Sequence, residues 1–301
     1  MKKTLFPILA FAGLLFIYPV EAQEDLLAML DQGEKPKIDY TIATFKTTRI
    51  VIGQSIELPA KGNMLFLITH HFGAVNSGYE NLFGLKQAMI RLGLEYGLTH
   101  WLGIGVGLNT DKNTWDGFFK IKILRQSKGS RKIPFTLDIF ANTAISTIKW
   151  ENPDEKNYFT SRMSYAFQIM VARKFGQRLS LQIMPSMVHK NLVQTTQDKN
   201  DIFTLGAGGR FKISQRVSIN AEYHYLFSGQ VESAKVYDSF SIGVDIETGG
   251  HVFQIFLTNS YGEIEETFLT DTRGKWSNGD IFLGFNISRI FTIVKPKHVK
   301  G

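Results

Sequence analysis

From Met64 to Phe291 the chain alternates apolar and polar residues with a period of two, in one segment after another. Successive side chains of a strand point to opposite faces, so this period specifies β-strands with one greasy face and one polar face. In Met89–Tyr96, residues Ile90, Leu92, Leu94 and Tyr96 share one face, and Arg91, Gly93 and Glu95 the other. In Trp101–Asn109, four large aliphatic residues oppose Gly103, Gly105 and Gly107. The same reading gives Met64–Phe72, Trp115–Ile123, Phe135–Ala144, Arg162–Ala172, Leu179–Val188, Ile202–Phe211, Val217–Leu226, Ser239–Glu247, Val252–Asn259 and Ile281–Phe291. The pattern therefore predicts about twelve antiparallel strands.

Connection lengths carry independent information. Short turns fall at Gly97–His100, Lys174–Gln177, Lys212–Gln215 and Thr248–Gly250, with Arg125–Lys132 somewhat longer. Long connections fall between them, at Gly73–Gln87, Ile148–Thr160, His189–Asp201, Ser228–Asp238 and Ser260–Asn278; the short link Thr110–Asn113 breaks the rule. Loops sorted by end are the habit of bacterial membrane barrels, and a soluble sandwich has no reason for it. The two faces agree. A soluble sheet turns its charged face to water, whereas here the apolar face is nearly free of charge and the polar face mixes both signs with many glycines. Tyr96, Tyr165, Tyr223 and Phe291 sit near strand ends, where interfacial aromatic girdles belong. In lipid a spanning sheet has to close, so the expected fold is all-β, a closed antiparallel transmembrane β-barrel over residues 63–293.

The ends fit export. Lys2 and Lys3, the apolar stretch Phe6–Val20 and the small-x-small site Val20-Glu21-Ala22 read as a cleaved signal peptide over residues 1–22. Residues 23–62 form a separate segment. Glu24–Asp31 suits a short amphipathic helix, Pro36 ends it, and Thr41–Leu58 is extended in character. Three placements are open for it: over the periplasmic mouth, inside the lumen as a plug, or as a loose tail. Residues 294–301 read as a C-terminal tail. Cysteine is absent, which excludes disulfides, thiolate metal sites and thiol catalysis. The net charge of +7 is scattered, so nucleic-acid binding is not expected. There is one weak internal repeat, Gln177-Arg178-Leu179-Ser180-Leu181 against Gln215-Arg216-Val217-Ser218-Ile219.

Several stretches resemble a known family. Asn76-Ser77-Gly78, Asn81-Leu82-Phe83-Gly84-Leu85, Glu247-Thr248-Gly249-Gly250-His251-Val252-Phe253-Gln254 and Gly284-Phe285-Asn286-Ile287-Ser288-Arg289 are similar to an uncharacterised family of Gram-negative outer-membrane β-barrel proteins, a domain of unknown function. The resemblance runs from about Tyr40 to Phe291. It implies a barrel in the outer membrane and brings no activity and no catalytic residues.

Candidate functional residues follow from the polar face. The lumen-lining set is Arg91, Glu95, Asp116, Lys120, Lys122, Asp138, Arg162, Arg210, Glu222, His224, Asp245 and Glu247. Such a set either braces the wall as a salt-bridge network or selects solutes by charge. Glycines at 93, 103, 105, 107, 206, 208, 243 and 284 leave space that either widens a pore or admits a plug. His70 and His71 are adjacent on a strand, so they point to opposite faces and cannot chelate together. No zinc spacing, no Gly-x-Ser-x-Gly elbow and no Ser/His pair on one face is present, so neither a metal, a cofactor nor an enzymatic activity is implied. Glu263, Glu265 and Glu266 fall in a long outer loop, where solvated charge is expected. The resulting expectation is a pore or partly plugged channel for small solutes in the outer membrane, with surrounding lipid as its partner. The alternative is a non-conducting barrel whose outer loops bind a partner. A lipid-modifying barrel enzyme is third.

A closed barrel is checked on a gel: unboiled protein should migrate apart from boiled protein and be recovered with outer membranes. Soluble periplasmic protein with no mobility shift would overturn the barrel.

Overall fold

The computed structural model describes residues 37–150, 152–154 and 156–295. The expected signal peptide, the Glu24–Asp31 helix and the tail beyond residue 295 lie outside them. Twelve strands form a closed antiparallel barrel in chain order. They are β1 (Asn63–Ala74), β2 (Ala88–Gly97), β3 (Leu102–Asn109), β4 (Thr114–Leu124), β5 (Thr136–Ser146) and β6 (Met163–Phe175) in the first half. The second half holds β7 (Leu179–Lys190), β8 (Asp201–Lys212), β9 (Val217–Leu226), β10 (Ser239–Thr248), β11 (His251–Thr258) and β12 (Phe282–Thr292). β12 meets β1 with Phe285 opposite His70 and Phe291 opposite Met64, which closes the seam and leaves the barrel no free edge.

The alternation holds through the wall. On β2, Arg91, Glu95 and Gly93 between them are buried, while Leu92 and Leu94 are exposed on the outside. His71 points inward and is fully buried, and His70 points outward and stacks on Phe285 at 5.0 Å. The tight β10–β11 turn is Gly249-Gly250, with φ of 20° and 137° in the left-handed half that glycine tolerates. At the same end, Ile38–Tyr40 pairs with Ser127–Gly129 as a small sheet outside the barrel, so the longer β4–β5 connection is itself structured.

The lumen is filled from both ends. From the short-turn end, residues 43–58 enter as a hairpin. Arg49 bridges to Gln54, the Ile50 N–H donates to the Gly53 carbonyl at 2.9 Å, and the Ser55 N–H donates to the Thr48 carbonyl at 3.0 Å. Of the segment 23–62, residues 43–58 lie inside the barrel, and residues 23–36 lie outside the described residues. From the long-loop end, the β11–β12 connection folds inward around a short helix, α1 (Glu265–Thr270), whose residues are all buried. This corrects the expectation of a solvated acidic loop: Glu263, Glu265 and Glu266 lie inside the barrel. The physical reason is the loop's apolar content, since Ile264, Phe268 and Leu269 carry their acidic neighbours in with them.

Both fillers meet inward-facing apolar residues of the wall. Ile50, Val51, Ile52 and Phe268 join Phe118, Phe140, Met170, Met184 and Phe256 in one buried cluster. The inward glycines make room for this packing. A Cβ on Gly208 would lie 2.7 Å from Ile50 Cδ1, and one on Gly103 would lie 2.9 Å from Leu58 Cδ2. Gly208→Leu should therefore displace the hairpin, at about 1–3 kcal/mol of overpacking. Limited proteolysis should then cleave within residues 43–58 while the heat-shifted gel band persists. A hairpin as resistant as in the parent would refute this packing.

Candidate functional site: the filled lumen

The hairpin tip presents a run of backbone N–H groups that no strand partner satisfies. Glu222, facing inward from β9, takes them up: Oε1 accepts from Ile52 N at 2.8 Å and Gly53 N at 2.9 Å, and Oε2 from Val51 N at 3.3 Å. Successive amides curled around an anion form a nest. Hydrogen bonds to a charged group are worth roughly 1.5–3 kcal/mol each, so Glu222 is the strongest single anchor of the tip.

The hairpin's carbonyls are met in the same way. Gln254 Nε2 donates to Ile50 O at 3.1 Å, and Asn286 Nδ2 to Val51 O at 2.8 Å. Gln182 donates to Gln54 O at 2.8 Å and accepts from Ile56 N at 3.0 Å, so one amide side chain stands in for a neighbouring strand. Lys120 Nζ donates to Ser55 O at 2.8 Å, and Arg210 to Ala43 O and Thr44 O at 3.1 and 3.2 Å. Lys46 forms an ion pair with Glu247 at the short-turn mouth. Arg49, on the hairpin, pairs with Glu95 at 3.0 Å.

The two fillers touch. Glu265 of α1 accepts from Gln54 Nε2 on the hairpin and from Asn142 Nδ2 on the wall, both at 2.9 Å. Above that contact Arg91 clamps Asp116 bidentately, Nε–Oδ1 at 2.9 Å and Nη2–Oδ2 at 2.5 Å. His71 Nδ1 lies 3.1 Å from the Tyr261 carbonyl, and His224 packs against Phe268 with ring centroids 5.2 Å apart.

The sequence-predicted residues thus divide by role. Glu95, Lys120, Arg210, Glu222 and Glu247 hold the hairpin. Asp245 orients Gln254 at 2.9 Å, and Arg91 with Asp116 braces the wall. Asp138 is buried opposite Lys122 in the strand register, and neither of its oxygens is hydrogen-bonded. Arg162 is the exception. The 3₁₀ turn Phe159–Arg162 precedes β6, so Arg162 sits on the long-loop rim rather than in the lumen. There it donates to the Ser146 and Ile148 carbonyls and covers the Trp150 ring at 4.0 Å. Reasoning from the polar face missed Gln182, Gln254 and Asn286, because an uncharged amide on that face carries no signal until the backbone it serves is known.

The rim loops are tied to one another. Asp198 accepts from the Thr195, Glu232 and Ser233 N–H groups at 3.0, 2.7 and 2.9 Å, joining the β7–β8 and β9–β10 connections. These donors, Ser233 first, hold its carboxyl well below the usual carboxylate range.

Residues 45–291 match the model of a family described as a membrane bound beta barrel domain (DUF5777), and the chain belongs to that family. No curated protein matches the chain. Among solved structures, the NanC porin overlays with a TM-score of 0.48 at 9% identity, covering 77% of this chain and 100% of that one. The KdgM porin gives 0.46 at 8%, covering 77% and 99%. The outer membrane phospholipase A from Escherichia coli gives 0.40 at 10%, covering 77% and 90%. Overlaps this loose are silent about what a lumen carries.

Removing the central anchor should free the tip. Glu222→Ala is expected to speed hydrogen exchange at the Val51, Ile52 and Gly53 amides by roughly a hundredfold, the equivalent of about 3 kcal/mol. Unchanged protection at those amides would show that the nest does not hold the hairpin.

Proposed function

We propose that this membrane-bound β-barrel is an outer-membrane channel for small solutes that is closed at rest and conducts when its fillers move. The short turns and the N-terminal hairpin then face the periplasm, and the long loops face outward, as in bacterial barrels generally. One observation carries the reading: the wall grips the hairpin through its backbone with polar side chains, Glu222, Gln182, Gln254, Asn286, Lys120 and Arg210. Each such bond exchanges for a bond to water at a net cost of only about 1 kcal/mol, or somewhat more where a charge is involved. The wall that remains once the hairpin leaves is still polar over much of its inner face and can be wetted. A seal meant to be permanent has no use for so many replaceable bonds. The charges expected to select solutes serve the plug in the resting state, and they meet a solute only after it moves.

The second reading, a non-conducting barrel that displays its outer loops, draws support from the Asp198 clamp across the rim. Planar-bilayer recording separates the two. The full chain is expected to pass no steady current. Deletion of residues 43–58 together with 261–273 is expected to produce ohmic steps, and Glu222→Ala brief openings. Silence from all three, with heat-shifted folding intact, would sink the channel and leave the display reading.

A further inference from the structure

The filler from the long-loop end is acidic, and its three glutamates are not received alike. A buried carboxylate is expensive unless donors or cations meet it. Glu265 is met, accepting from Gln54 and Asn142 at 2.9 Å. Glu263 and Glu266 are buried nearly as well, at 6% and 9% exposure. Neither oxygen of Glu263 is hydrogen-bonded among the described residues, and Oε2 of Glu266 is not either.

The charges around them do not make good the deficit. Glu263 faces Arg91 of β2, Asp111 of the β3–β4 link, Asp116 of β4 and the His71 backbone of β1. Arg91 is already clamped on Asp116. Glu266 faces Glu265, Asp116 and Lys190 of β7, and Lys190 also faces Asp271, Lys112 and Arg273. α1 itself packs against β6, β7 and β9. β6 has no acid and no histidine, and its cations Arg173 and Lys174 lie at the short-turn end. On β7, His189 pairs with Asp201 at 2.7 Å. On β9, His224 packs against Phe268, and Glu222 is taken up by the hairpin amides. Two carboxyls placed this way are kept neutral. Burial pushes Glu263 well above the usual carboxylate range and Glu266 up to about 8.

We propose that the β11–β12 connection is a pH-sensitive latch, docked in the lumen while Glu263 and Glu266 carry protons and released toward the long-loop end as the medium turns alkaline. The connectivity permits this movement, because residues 261–273 take no part in any strand pairing of the wall. In water both carboxyls return to an ordinary value near 4.5. The docked loop then holds protons that the released loop gives up. Docking is strongest below that value and weakens as pH rises from about 4.5 through about 8, by up to about tenfold per pH unit for each carboxyl. Release opens a path only on the channel reading, so the test reads the position of the loop and no current.

The test is hydrogen exchange on the full chain folded in detergent, from pH 6 to pH 9, with protection corrected for the pH dependence of chemical exchange. The amides of residues 261–273 should lose about tenfold or more in protection across that range, while the β9 amides keep theirs. Glu263→Gln combined with Glu266→Gln replaces both carboxyls by neutral isosteres. This variant, once shown folded by its unboiled gel shift, should keep its loop protection within about threefold from pH 6 to pH 9. A flat profile in the parent, or a parallel loss at β9, would overturn the latch without recourse to any variant. A double variant that loses protection as the parent does would overturn the assignment to these two glutamates.

Discussion

The hydrogen-bonding demand of the backbone governs this molecule twice. In lipid, no amide of the wall can be left unpaired, so the sheet has to close, and twelve strands closing on themselves enclose a space too wide for their own side chains to fill. The chain fills that space with more chain. That filler brings its own amides and carbonyls into a place with no neighbouring strand to receive them. The wall answers with side chains that imitate a strand: Gln182 both gives and takes, Gln254 and Asn286 give, and Glu222 takes from three amides. The polar inner face is thus the complement of a specific backbone, as well as a surface suited to water.

Apolar packing and polar pairing divide the work inside the lumen. Ile50, Val51 and Ile52 at the hairpin tip bury completely against large wall residues such as Met184 and Phe256, which drives entry. The hydrogen bonds contribute less net free energy per contact, and their directionality sets the depth and register of the hairpin. Gln54 and Glu265 then join the filler from one end to the filler from the other, so displacement of either exposes a polar group of its partner.

How much of this was legible in the sequence depends on which residues carried periodicity. The wall was legible almost to its ends, because period two runs through most of each strand, broken by register shifts near Lys122–Leu124 and Phe282–Gly284, and a slip of one residue would turn Arg91 and Glu95 toward lipid. The strand β9 keeps the bounds that the alternation predicts, Val217–Leu226. The lumen's contents were less legible, since neither filler is periodic. Their traces were nevertheless present. Phe118, Phe140, Met170, Met184 and Phe256 occupy the polar face of their strands, where they pack against the fillers. The acidic run at Glu263–Glu266 misled because charge in a loop is normally solvated, and here Ile264, Phe268 and Leu269 outweigh it. Arg162 was misplaced by one residue of strand start, enough to move it from wall to rim.

The seam joins β12 to β1, and in the chain's own order each of these strands follows a filler. The hairpin immediately precedes β1, and the α1 connection immediately precedes β12. The pairing that closes the ring is therefore made by the two strands that carry the contents, each joined to its filler by a short tether. A circular permutation that cut either tether would keep every pairing of the wall and release one filler from the strand beside it.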